Sequence, residues 1–400
     1  MGDAPGPVLH FRGSVLPDGP AEFWVVADGS SRSEERAEGA TRLVDTDGSS
    51  RSEERAEGAT RLVDTGVVRF APQAGAAVEL SGWAVPGLVD AHCHVGIAPS
   101  TAPTLELARS LARDDVRVGV TVIREPGSNL DTSPLDDELD MPRFVRMGRH
   151  IALTRRYIPG LGVQLDEQAQ LVDEVRRQAE AGHGWVKIVG DWIDRSVGDL
   201  APLWPDDVLA EAVGVAHAAG AKVASHVFGE DALPGLLAAG VDCIEHGSGL
   251  TDETIAQLVE RGVALVPTLV QIANFPSIAE PALGKYPTYA KHMNALYERR
   301  YDTYRAAFDA GVPIYAGTDA GGFNAHGRLP AEIAELTRVM PPADAVAAAS
   351  WRAREWLGFA GIDDGAPADF VVYADDPREV VAAGGALTPA NVVLRGRVAR

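Results

Sequence analysis

The sequence predicts an α/β fold: a TIM-type (β/α)8 barrel joined to a small β-sandwich built from both chain termini. From Trp83 onwards, eight short apolar runs alternate with amphipathic helical stretches, a pattern typical of parallel strands linked by crossover helices. Several helical stretches end at a glycine, the usual stop signal of a helix. Short strand-like runs also precede and follow this alternating region, which predicts the β-sandwich.

Composition limits the class of protein. The chain has 400 residues, of which 46% are hydrophobic and 23% charged, so one barrel and a smaller companion domain fit its length. The net charge of −21 disfavours nucleic acid and anionic membranes as partners. Only two cysteines occur, which excludes a disulfide scaffold at this length. Since no signal peptide or membrane-spanning apolar run is evident, we expect a cytoplasmic protein that acts on a small molecule.

The N-terminal region contains an exact repeat. Residues 28–46 recur without change as residues 47–65, and two identical polar copies indicate a tandem duplication or a sequence artefact rather than a solenoid. We predict a flexible surface segment unconnected with chemistry; a lid or an oligomer contact is the alternative. Joining Ala27 directly to Gly66 would give a plain hairpin.

The predicted domains follow from this order. Residues 1–84 and 361–400 form the discontinuous β-sandwich, and residues 85–360 form the inserted barrel. The predicted barrel strands are residues 85–94, 120–125, 150–155, 185–191, 222–227, 243–246, 264–269 and 314–319. The predicted helices include residues 103–116, 166–181, 205–219, 251–261 and 343–357.

Metal-ligand side chains recur where the predicted strands end, which is the end of a barrel that carries chemistry. His92 and His94 lie two residues apart, on one face of the first strand. His226, His246 and Asp319 end the fifth, sixth and eighth strands. Imidazole and carboxylate suit Zn²⁺ and related divalent metals. The apolar fourth strand also contains Lys187, whose charge is costly to bury.

Four motifs and the C-terminal run resemble the amidohydrolase superfamily of metal-dependent hydrolases. They are Pro86-Gly-Leu-Val-Asp-Ala-His-Cys-His, Gly119-Val-Thr-Val-Ile-Arg-Glu-Pro-Gly, Gly240-Val-Asp-Cys-Ile-Glu-His-Gly, Ala310-Gly-Val-Pro-Ile-Tyr-Ala-Gly-Thr-Asp and Gly365-Ala-Pro-Ala-Asp-Phe-Val-Val. The likeness is greatest to the branch of prolidase-like, Xaa-dipeptidase-like and imidazolonepropionase-related proteins and covers nearly the whole chain. The fold implied by the resemblance agrees with the fold predicted above, and the departure is the repeated segment 28–65.

The resemblance implies six ligands for two divalent metal ions, with zinc the expected metal: His92, His94, Asp319, His226, His246 and Lys187. The first three would hold one ion and the next two the other. Lys187, carboxylated by CO₂, would bridge both ions as a carbamate. The competing interpretation of Lys187 is an ion pair with a nearby acid. A deaminase-like branch lacks this lysine and keeps one metal, so Lys187 decides between the two.

The activity that the resemblance implies is hydrolysis of an amide or peptide bond, with a dipeptide or N-acyl amino acid as substrate. A hydroxide bridging the metals would attack, and Asp319 would act as general base and then general acid. A cyclic amidase, a lactonase or a phosphotriesterase could use the same site, and a deaminase or a catalytically inactive scaffold is a weaker alternative. A homo-oligomer is compatible with the resemblance.

Substrate contacts are predicted on the loops that follow the strands. Arg155, Arg156 and Tyr157 follow the predicted third strand, where a substrate carboxylate could bind, although a solvated basic turn is the alternative. His326 follows the eighth strand and is a further candidate. His150 is predicted at the start of the third strand, the wrong end for catalysis.

Two further predictions concern neighbouring segments. Arg124 and Glu125 end the second strand and are predicted to pair with each other. The proline-containing stretch 270–287 is predicted to be a long loop over the site.

Overall fold

The computed structural model of the protein describes residues 8–27, 66–73, 77–97 and 102–400. The repeated segment 28–65 therefore lies outside the described residues. The strands of the described part are, in chain order, β1 (Val8–Val15), β2 (Gly19–Ala27), β3 (Gly66–Arg69), β4 (Ala77–Pro86), β5 (Leu88–Asp90), β6 (Val120–Glu125), β7 (Arg143–Arg146), β8 (Ile151–Leu153), β9 (Val163–Leu165), β10 (Trp185–Val189), β11 (Asp191–Asp194), β12 (Asp199–Pro202), β13 (Lys222–Val227), β14 (Cys243–His246), β15 (Ala264–Val266), β16 (Phe370–Tyr373), β17 (Asn391–Leu394) and β18 (Arg397–Val398).

The helices of the same residues are α1 (Leu105–Arg117), α2 (Leu171–Glu180), α3 (Asp206–Ala218), α4 (Leu233–Ala239), α5 (Asp252–Arg261), α6 (Leu269–Ile272), α7 (Phe275–Ala279), α8 (Pro287–Ala310), α9 (Leu329–Leu336), α10 (Pro342–Ala348), α11 (Trp351–Leu357) and α12 (Pro377–Ala382). Short 3-10 helices occupy Ser133–Asp137, Gln168–Gln170 and Glu280–Ala282. Within the described residues, no helix is both long enough and apolar enough to cross a membrane.

Strands from both termini share one sheet, in the order β18-β17-β16-β4-β1-β2-β3. The alternation of β1 explains its place, because Leu9 and Phe11 are buried while the side chains between them point to the other face. β2 pairs antiparallel with β3, and Ala27 lies opposite Gly66. The hairpin predicted for the chain on either side of the repeat is therefore confirmed, while the two-layer sandwich stays a prediction.

The central part of the chain forms two parallel sheets, ordered β5-β6-β7 and β15-β14-β13-β10-β8-β9. Residues 314–320 contact both. The amide of Tyr315 donates to Leu265 of β15 at 3.0 Å, and the amide of His94, beyond β5, donates to Ala320 at 2.8 Å. Gly317 permits this approach, because a Cβ there would lie 2.8 Å from the Cβ of His92. The first and last predicted strand segments are thus adjacent.

The predicted third strand, residues 150–155, contains β8 (Ile151–Leu153), but the strand before it, β7, was not predicted. Arg143–Arg146 pairs with β6, and Ile151–Leu153 then pairs with β10 through Ile151 and Ile188. Three arginines interrupt the apolar residues of 143–149, which hid the first of these strands from a search for apolar runs. Consequently His150 lies between β7 and β8.

One predicted helix and one predicted loop also need correction. Residues 343–357 form two helices, α10 and α11, which are interrupted at Ala349 and Ser350. The stretch 270–287 is largely helical, comprising most of α6, all of α7 and a 3-10 turn, because its prolines lie at the first turns of these helices, where a missing amide hydrogen costs nothing. By contrast, α5 begins within one residue of its predicted start: the Thr251 side chain accepts a hydrogen bond from the amide of Thr254, and Gly262 closes the helix with φ of 65°.

Candidate metal centre

His92, His94 and Asp319 converge where the first and last strand segments meet. One carboxylate oxygen of Asp319, Oδ1, lies 3.3 Å from Nε2 of His92 and 3.1 Å from Nε2 of His94. Both imidazoles are almost fully buried. They flank Cys93 just beyond β5, and the bridge between Cys93 and Ala320 brings both imidazoles within reach of this carboxylate. The three side chains form a group that could hold a metal ion.

His226 and His246 stand beside that group. His226 lies in β13 and His246 ends β14, and their ring centroids are 4.7 Å apart. The ring of His246 is also 5.0 Å from the ring of His92. The parallel pairing of β13 with β14 places His226 opposite Glu245, so neighbouring strands deliver both imidazoles to one end of the sheet.

Lys187 lies in β10, next to β13 in the sheet, and pairs in register with Ala224. Its side chain is buried, and Nζ has no hydrogen-bond partner among the described residues; Nε2 of His226 is likewise unpartnered. Burial lowers the pKa of Lys187 to about 8. A buried polar atom without a partner is costly and calls for an explanation, such as an ion that the protein binds.

Outer hydrogen bonds fix the orientation of three imidazoles. Nδ1 of His92 donates to Glu245 at 2.7 Å, and Nδ1 of His94 donates to the carbonyl of Gly127 at 2.9 Å. Nδ1 of His246 is engaged by the hydroxyl of Thr268 at 2.7 Å. Metal-binding histidines commonly bond an outer partner through one nitrogen and the metal through the other. The arrangement leaves Nε2 of each ring for the centre.

Left-handed backbone marks the same place. His246, Thr268 and Asp319 have φ of 66°, 51° and 51° although none is glycine. Such conformations cost about 1–3 kcal/mol each and persist where the surrounding structure holds them. Here the hydroxyl of Tyr304 donates to the carbonyl of His246 at 3.0 Å. Two of these residues, His246 and Asp319, are predicted ligands, and the third, Thr268, contacts the imidazole of His246.

The charges of the site suit cation binding. Burial lowers the pKa of His246 to about 3 and holds the pKa of His226 well below its ordinary value, so both rings are neutral and can offer a lone pair. Burial alone would raise the pKa of Asp319, but the close imidazoles of His92 and His94 hold it well below the usual range. Neutral imidazoles and a carboxylate form a donor set that fits divalent metal ions.

His150 and Tyr157 lie beside the histidines of the candidate centre. The sequence predicted Tyr157 near the site but not His150. The ring of His150 is 5.2 Å from the ring of His94 and 5.2 Å from that of Tyr157. Tyr157 in turn packs 5.5 Å from His226 and 4.8 Å from Trp192. The overlooked signal is β7, since His150 lies between the end of β7 and the start of β8.

The two candidate arginines have different surroundings. Nη1 of Arg156 donates to Asp194 at 2.8 Å, and Nη2 donates to the carbonyl of Ala201 at 2.9 Å. These bonds commit Arg156 to the hairpin of β11 and β12. Arg155 is exposed and has φ of 65°. Of the two, only Arg155 keeps its guanidinium at the surface.

His326 is not brought together with the other candidate residues. Its Nδ1 lies 2.7 Å from Oδ2 of Asp115 in α1, and 3.6 Å from the sulfur of Cys93. Cys93 alternates with His92 and His94, so its side chain leaves the strand on the opposite face. These contacts place the imidazole of His326 behind the strand that bears the two histidines.

Arg124 and Glu125 do not pair with each other, contrary to the sequence prediction. Nη1 of Arg124 donates to Glu245 at 2.7 Å. Glu125 instead accepts from the hydroxyl of Thr132 at 3.0 Å. Adjacent strand residues point to opposite faces, which separates the two side chains. Cys93 and Cys243 are both buried and free of disulfide bonds.

The sequence of this chain matches a known protein family and related sequences from two species. The model of the amidohydrolase family matches residues 83–399. Uncharacterized proteins of Mycobacterium tuberculosis (strain ATCC 25618 / H37Rv) and of Mycobacterium bovis are each 54% identical over 334 residues, which cover 83% of this chain and 90% of theirs.

Solved structures resemble the whole chain. A Xaa-Pro dipeptidase with bound methionine has a TM-score of 0.73 at 20% identity, covering 98% of this chain and 99% of its own. A prolidase in complex with N-methylphosphonate-L-proline has a TM-score of 0.74 at 21% identity, with the same coverage. The ochratoxinase of A. niger has a TM-score of 0.70 at 18% identity, covering 98% and 96%. At these identities the likeness establishes a shared fold.

Proposed function

This chain belongs to the amidohydrolase family, whose members are hydrolases, and on that premise we propose that it is a binuclear metal-dependent hydrolase of carbon–nitrogen bonds. The proposed ligands of one divalent ion are His92, His94 and Asp319, and those of the other are His226 and His246. Lys187, as a carbamate, bridges the two. When bound, the ions lower the pKa of a water toward neutrality and polarise the scissile carbonyl.

The observation that carries this proposal is the amine of Lys187, buried with no hydrogen-bond partner among the described residues. An ion pair with an acid was the competing interpretation, but no carboxylate of the described residues lies within 4.0 Å of Nζ as a salt bridge. A carbamate supplies two anionic oxygens at the same place. It replaces an unpaired polar atom with a ligand for two cations, which removes the cost of burial.

Asp319 is the proposed general base and general acid. Its Oδ1 is held between Nε2 of His92 and Nε2 of His94, and the low pKa keeps it ionised and able to accept a proton. The carboxylate takes the proton of the attacking water and delivers it to the leaving amine. The side chain of Asp319 is 16% exposed. This exposed part would be accessible to a substrate.

The barrel and its companion domain complete the proposal. Hydrogen bonds from residues 314–320 to β15 and to the segment beyond β5 support closure of the two parallel sheets into a (β/α)8 barrel. We assign residues 85–360 to the barrel and residues 1–84 with 361–400 to the terminal domain, whose strands share a sheet. The metal is proposed to be zinc, because imidazole and carboxylate ligands suit it.

The proposed substrate is a dipeptide or an N-acyl amino acid. Structures described as a Xaa-Pro dipeptidase and a prolidase share the fold over nearly the full length of this chain, which supports the choice. Arg155 is the proposed contact for a substrate carboxylate, because its guanidinium is at the surface while that of Arg156 is committed to Asp194. Tyr157 packs on His226 and would line the pocket.

The experiment is a substrate panel on protein reconstituted with Zn²⁺, Mn²⁺ or Co²⁺ in the presence of bicarbonate. Dipeptides and N-acyl amino acids are tested beside cyclic amides, lactones, phosphotriesters and an aminopurine. Release of an amino acid with two bound metals per chain is the expected result. Preferential cleavage of a lactone or a phosphotriester would move the assignment to that substrate class, and a metal-loaded protein inert to every substrate would contradict it.

A further inference from the structure

We propose that Glu245 and Arg124 form a positioning pair for His92, and that this pair sets how tightly the His92 side of the centre holds its ion. The inference rests on the proposed function, since it assumes that His92 is a ligand. It assigns a role to two residues that do not themselves face the ion. Neither residue touches substrate in this scheme; Glu245 acts through His92, and Arg124 acts through Glu245.

The contacts form one chain. Oε2 of Glu245 lies 2.7 Å from Nδ1 of His92, and Oε1 lies 2.7 Å from Nη1 of Arg124. The same Nη1 donates to the carbonyl of Ala91 at 3.0 Å, and Ala91 directly precedes His92. The guanidinium therefore holds the backbone next to His92 while the carboxylate holds its ring.

The carboxylate decides the tautomer of the ring. An ionised carboxylate only accepts hydrogen bonds, so Nδ1 of His92 must carry the proton that is shared with Glu245. Nε2 then keeps its lone pair, and Nε2 is the atom that lies 3.3 Å from Asp319. Without Glu245 the ring could exchange tautomers or turn about its side-chain bonds, and either change withdraws the lone pair from the centre.

Arg124 makes it possible to keep a charged carboxylate there. Glu245 is fully buried, and so is Arg124. A lone buried carboxylate is strongly unfavourable unless a cation lies beside it. The guanidinium also lies against two indole rings, 4.3 Å from the centroid of Trp185 and 4.8 Å from that of Trp356, a favourable packing for a cation.

Glu245 and His246 are neighbours in β14, and both approach the ring of His92. Adjacent residues of a strand point to opposite faces, but the left-handed φ of 66° at His246 redirects its backbone. The imidazole of His246 thus reaches the ring of His92 at 5.0 Å, while Glu245 reaches the outer nitrogen of the same ring. One short strand contributes a ligand and the group that orients another ligand.

The test compares Glu245→Gln with wild type by competitive titration of Zn²⁺ against a chromophoric chelator, which gives a dissociation constant for each ion without any turnover. We expect one of the two ions to bind about 10- to 100-fold more weakly in the variant and the other to change little. Because Glu245→Gln leaves Arg124 as an unpaired buried cation, the Glu245→Gln, Arg124→Met double variant is titrated as well. It removes both charges and should fold more readily.

The double variant also tests the order of action. If Arg124 works through Glu245, the double variant should bind the weakened ion no less tightly than Glu245→Gln alone, since nothing remains for Arg124 to support. Asp369→Asn is the matched control. Asp369 is also a buried carboxylate, and it lies 2.8 Å from Nε of Arg143, outside the metal centre. It should lower the free energy of unfolding and leave both dissociation constants unchanged.

The outcomes separate the two proposals. Wild type with two bound ions and Glu245→Gln with a wild-type affinity for both would overturn the positioning role alone. A loss of metal affinity in Asp369→Asn equal to that in Glu245→Gln would also overturn it, because general destabilisation would then explain the result. Wild-type protein that binds no divalent ion would refute the proposed function and this inference with it.

Discussion

Thr318 gives Asp90 two hydrogen bonds, one from its backbone amide at 3.0 Å and one from its hydroxyl at 2.7 Å. Asp90 ends β5 and also accepts from the amide of His92 at 3.2 Å. Thr318 directly precedes Asp319. One buried carboxylate therefore ties together the two chain segments that bear the proposed ligands of one ion, and it determines how closely Asp319 approaches His92.

Thr318→Val should weaken this tie without changing the size of the side chain. It removes the hydroxyl and leaves one oxygen of the buried Asp90 carboxylate unpaired, which costs about 1–3 kcal/mol. Because Asp319 loses a neighbour that fixes its backbone, kcat/KM should fall about 10- to 100-fold. Urea unfolding and steady-state kinetics measure the two effects.

Thr337→Val is the control for that substitution. The hydroxyl of Thr337 donates to the carbonyl of Ala334 at the surface, so its loss should change the free energy of unfolding by no more than about 0.5 kcal/mol. Equal losses of activity in both threonine variants would show that the bonds of Asp90 do not position Asp319.

Lys187→Met should separate stability from activity. Methionine fills most of the volume of the lysine stem, and it removes an amine with no hydrogen-bond partner in the described part of the chain. The metal-free variant should thus unfold with an equal free energy, or one higher by about 1–3 kcal/mol. Turnover should fall more than about 100-fold, since the bridging ligand is lost.

Lys222→Met provides the comparison in a neighbouring strand. Lys222 is exposed at the start of β13, with Nζ 5.4 Å from the ring centroid of Trp185. We expect near-wild-type turnover and a stability change within about 0.5 kcal/mol. The carbamate is checked directly by ¹³C NMR of protein incubated with ¹³C-bicarbonate: a carbamate signal that survives in Lys187→Met would assign the modification to another amine.

Asp319→Asn should abolish most turnover while much of the metal remains. An amide oxygen can still approach the ion, but it cannot accept and return a proton, and general acid–base roles contribute about 10²- to 10⁴-fold. Metal content by elemental analysis and kcat/KM on the best substrate measure the two quantities. Asp302→Asn, at a position 87% exposed beside Arg305, should be neutral. A fully active Asp319→Asn would rule out the proposed role.

The sequence alone predicted some residues of the candidate site and missed others. Strand-end histidines were identifiable because each follows an apolar run, and the pattern depends only on the alternation of a strand and on chain order. Strand β7 was missed because Arg143 and Arg146 interrupt its apolar pattern, and the place of His150 between β7 and β8 was missed with it. The hairpin of Ala27 and Gly66 was predictable, since it depends on two short runs alone.

Partners that are distant in sequence were the remaining difficulty. The pairing of Arg124 with Glu245 requires the register of strands on different sheets, which no local pattern encodes. Residue spacing also gives no sign of the left-handed φ at His246 and Asp319. Such strained positions are held by tertiary contacts. The hydrogen bonds of Arg156 to the β11–β12 hairpin could not be predicted for the same reason.

His292 gives a pH-dependent contribution to stability away from the centre. It lies in α8, with Nε2 2.8 Å from Glu230 and Nδ1 2.9 Å from Asp199. The hydrogen bond to Glu230, and then that to Asp199, raise its pKa to about 9 against the opposing effect of burial. The folded pKa exceeds the unfolded value near 6.5. The stabilisation is therefore complete below about pH 6.5 and is lost as the pH rises to about 9.

His292→Gln should accordingly lower the free energy of unfolding by about 1–2 kcal/mol at pH 6, after allowance for solvent screening of partners that are partly exposed. The difference from wild type should shrink to near zero above about pH 9. His217→Gln, which removes a 43% exposed partner of Asp242, should cost less than about 0.5 kcal/mol. A His292→Gln deficit that is constant with pH would mean that packing, and not charge, explains it.

The neighbouring arginines Arg155 and Arg156 should respond differently to the same substitution. Arg156→Met breaks the bonds to Asp194 and to the carbonyl of Ala201, so the free energy of unfolding should fall by about 1–3 kcal/mol. The ratio of KM values for a free-acid substrate and its C-terminal amide should stay unchanged, because this guanidinium is already committed to the β11–β12 hairpin.

Arg155→Met should do the reverse. Its guanidinium is exposed, so the free energy of unfolding should change by less than about 0.5 kcal/mol. Loss of a charge-assisted contact with the substrate carboxylate, worth about 1.5–3 kcal/mol, should raise the KM of the free-acid substrate about tenfold or more and leave that of the amide unchanged. If Arg155→Met alters neither KM, the carboxylate is bound elsewhere or the natural substrate has none, and the dipeptide assignment loses its main support on this side of the pocket.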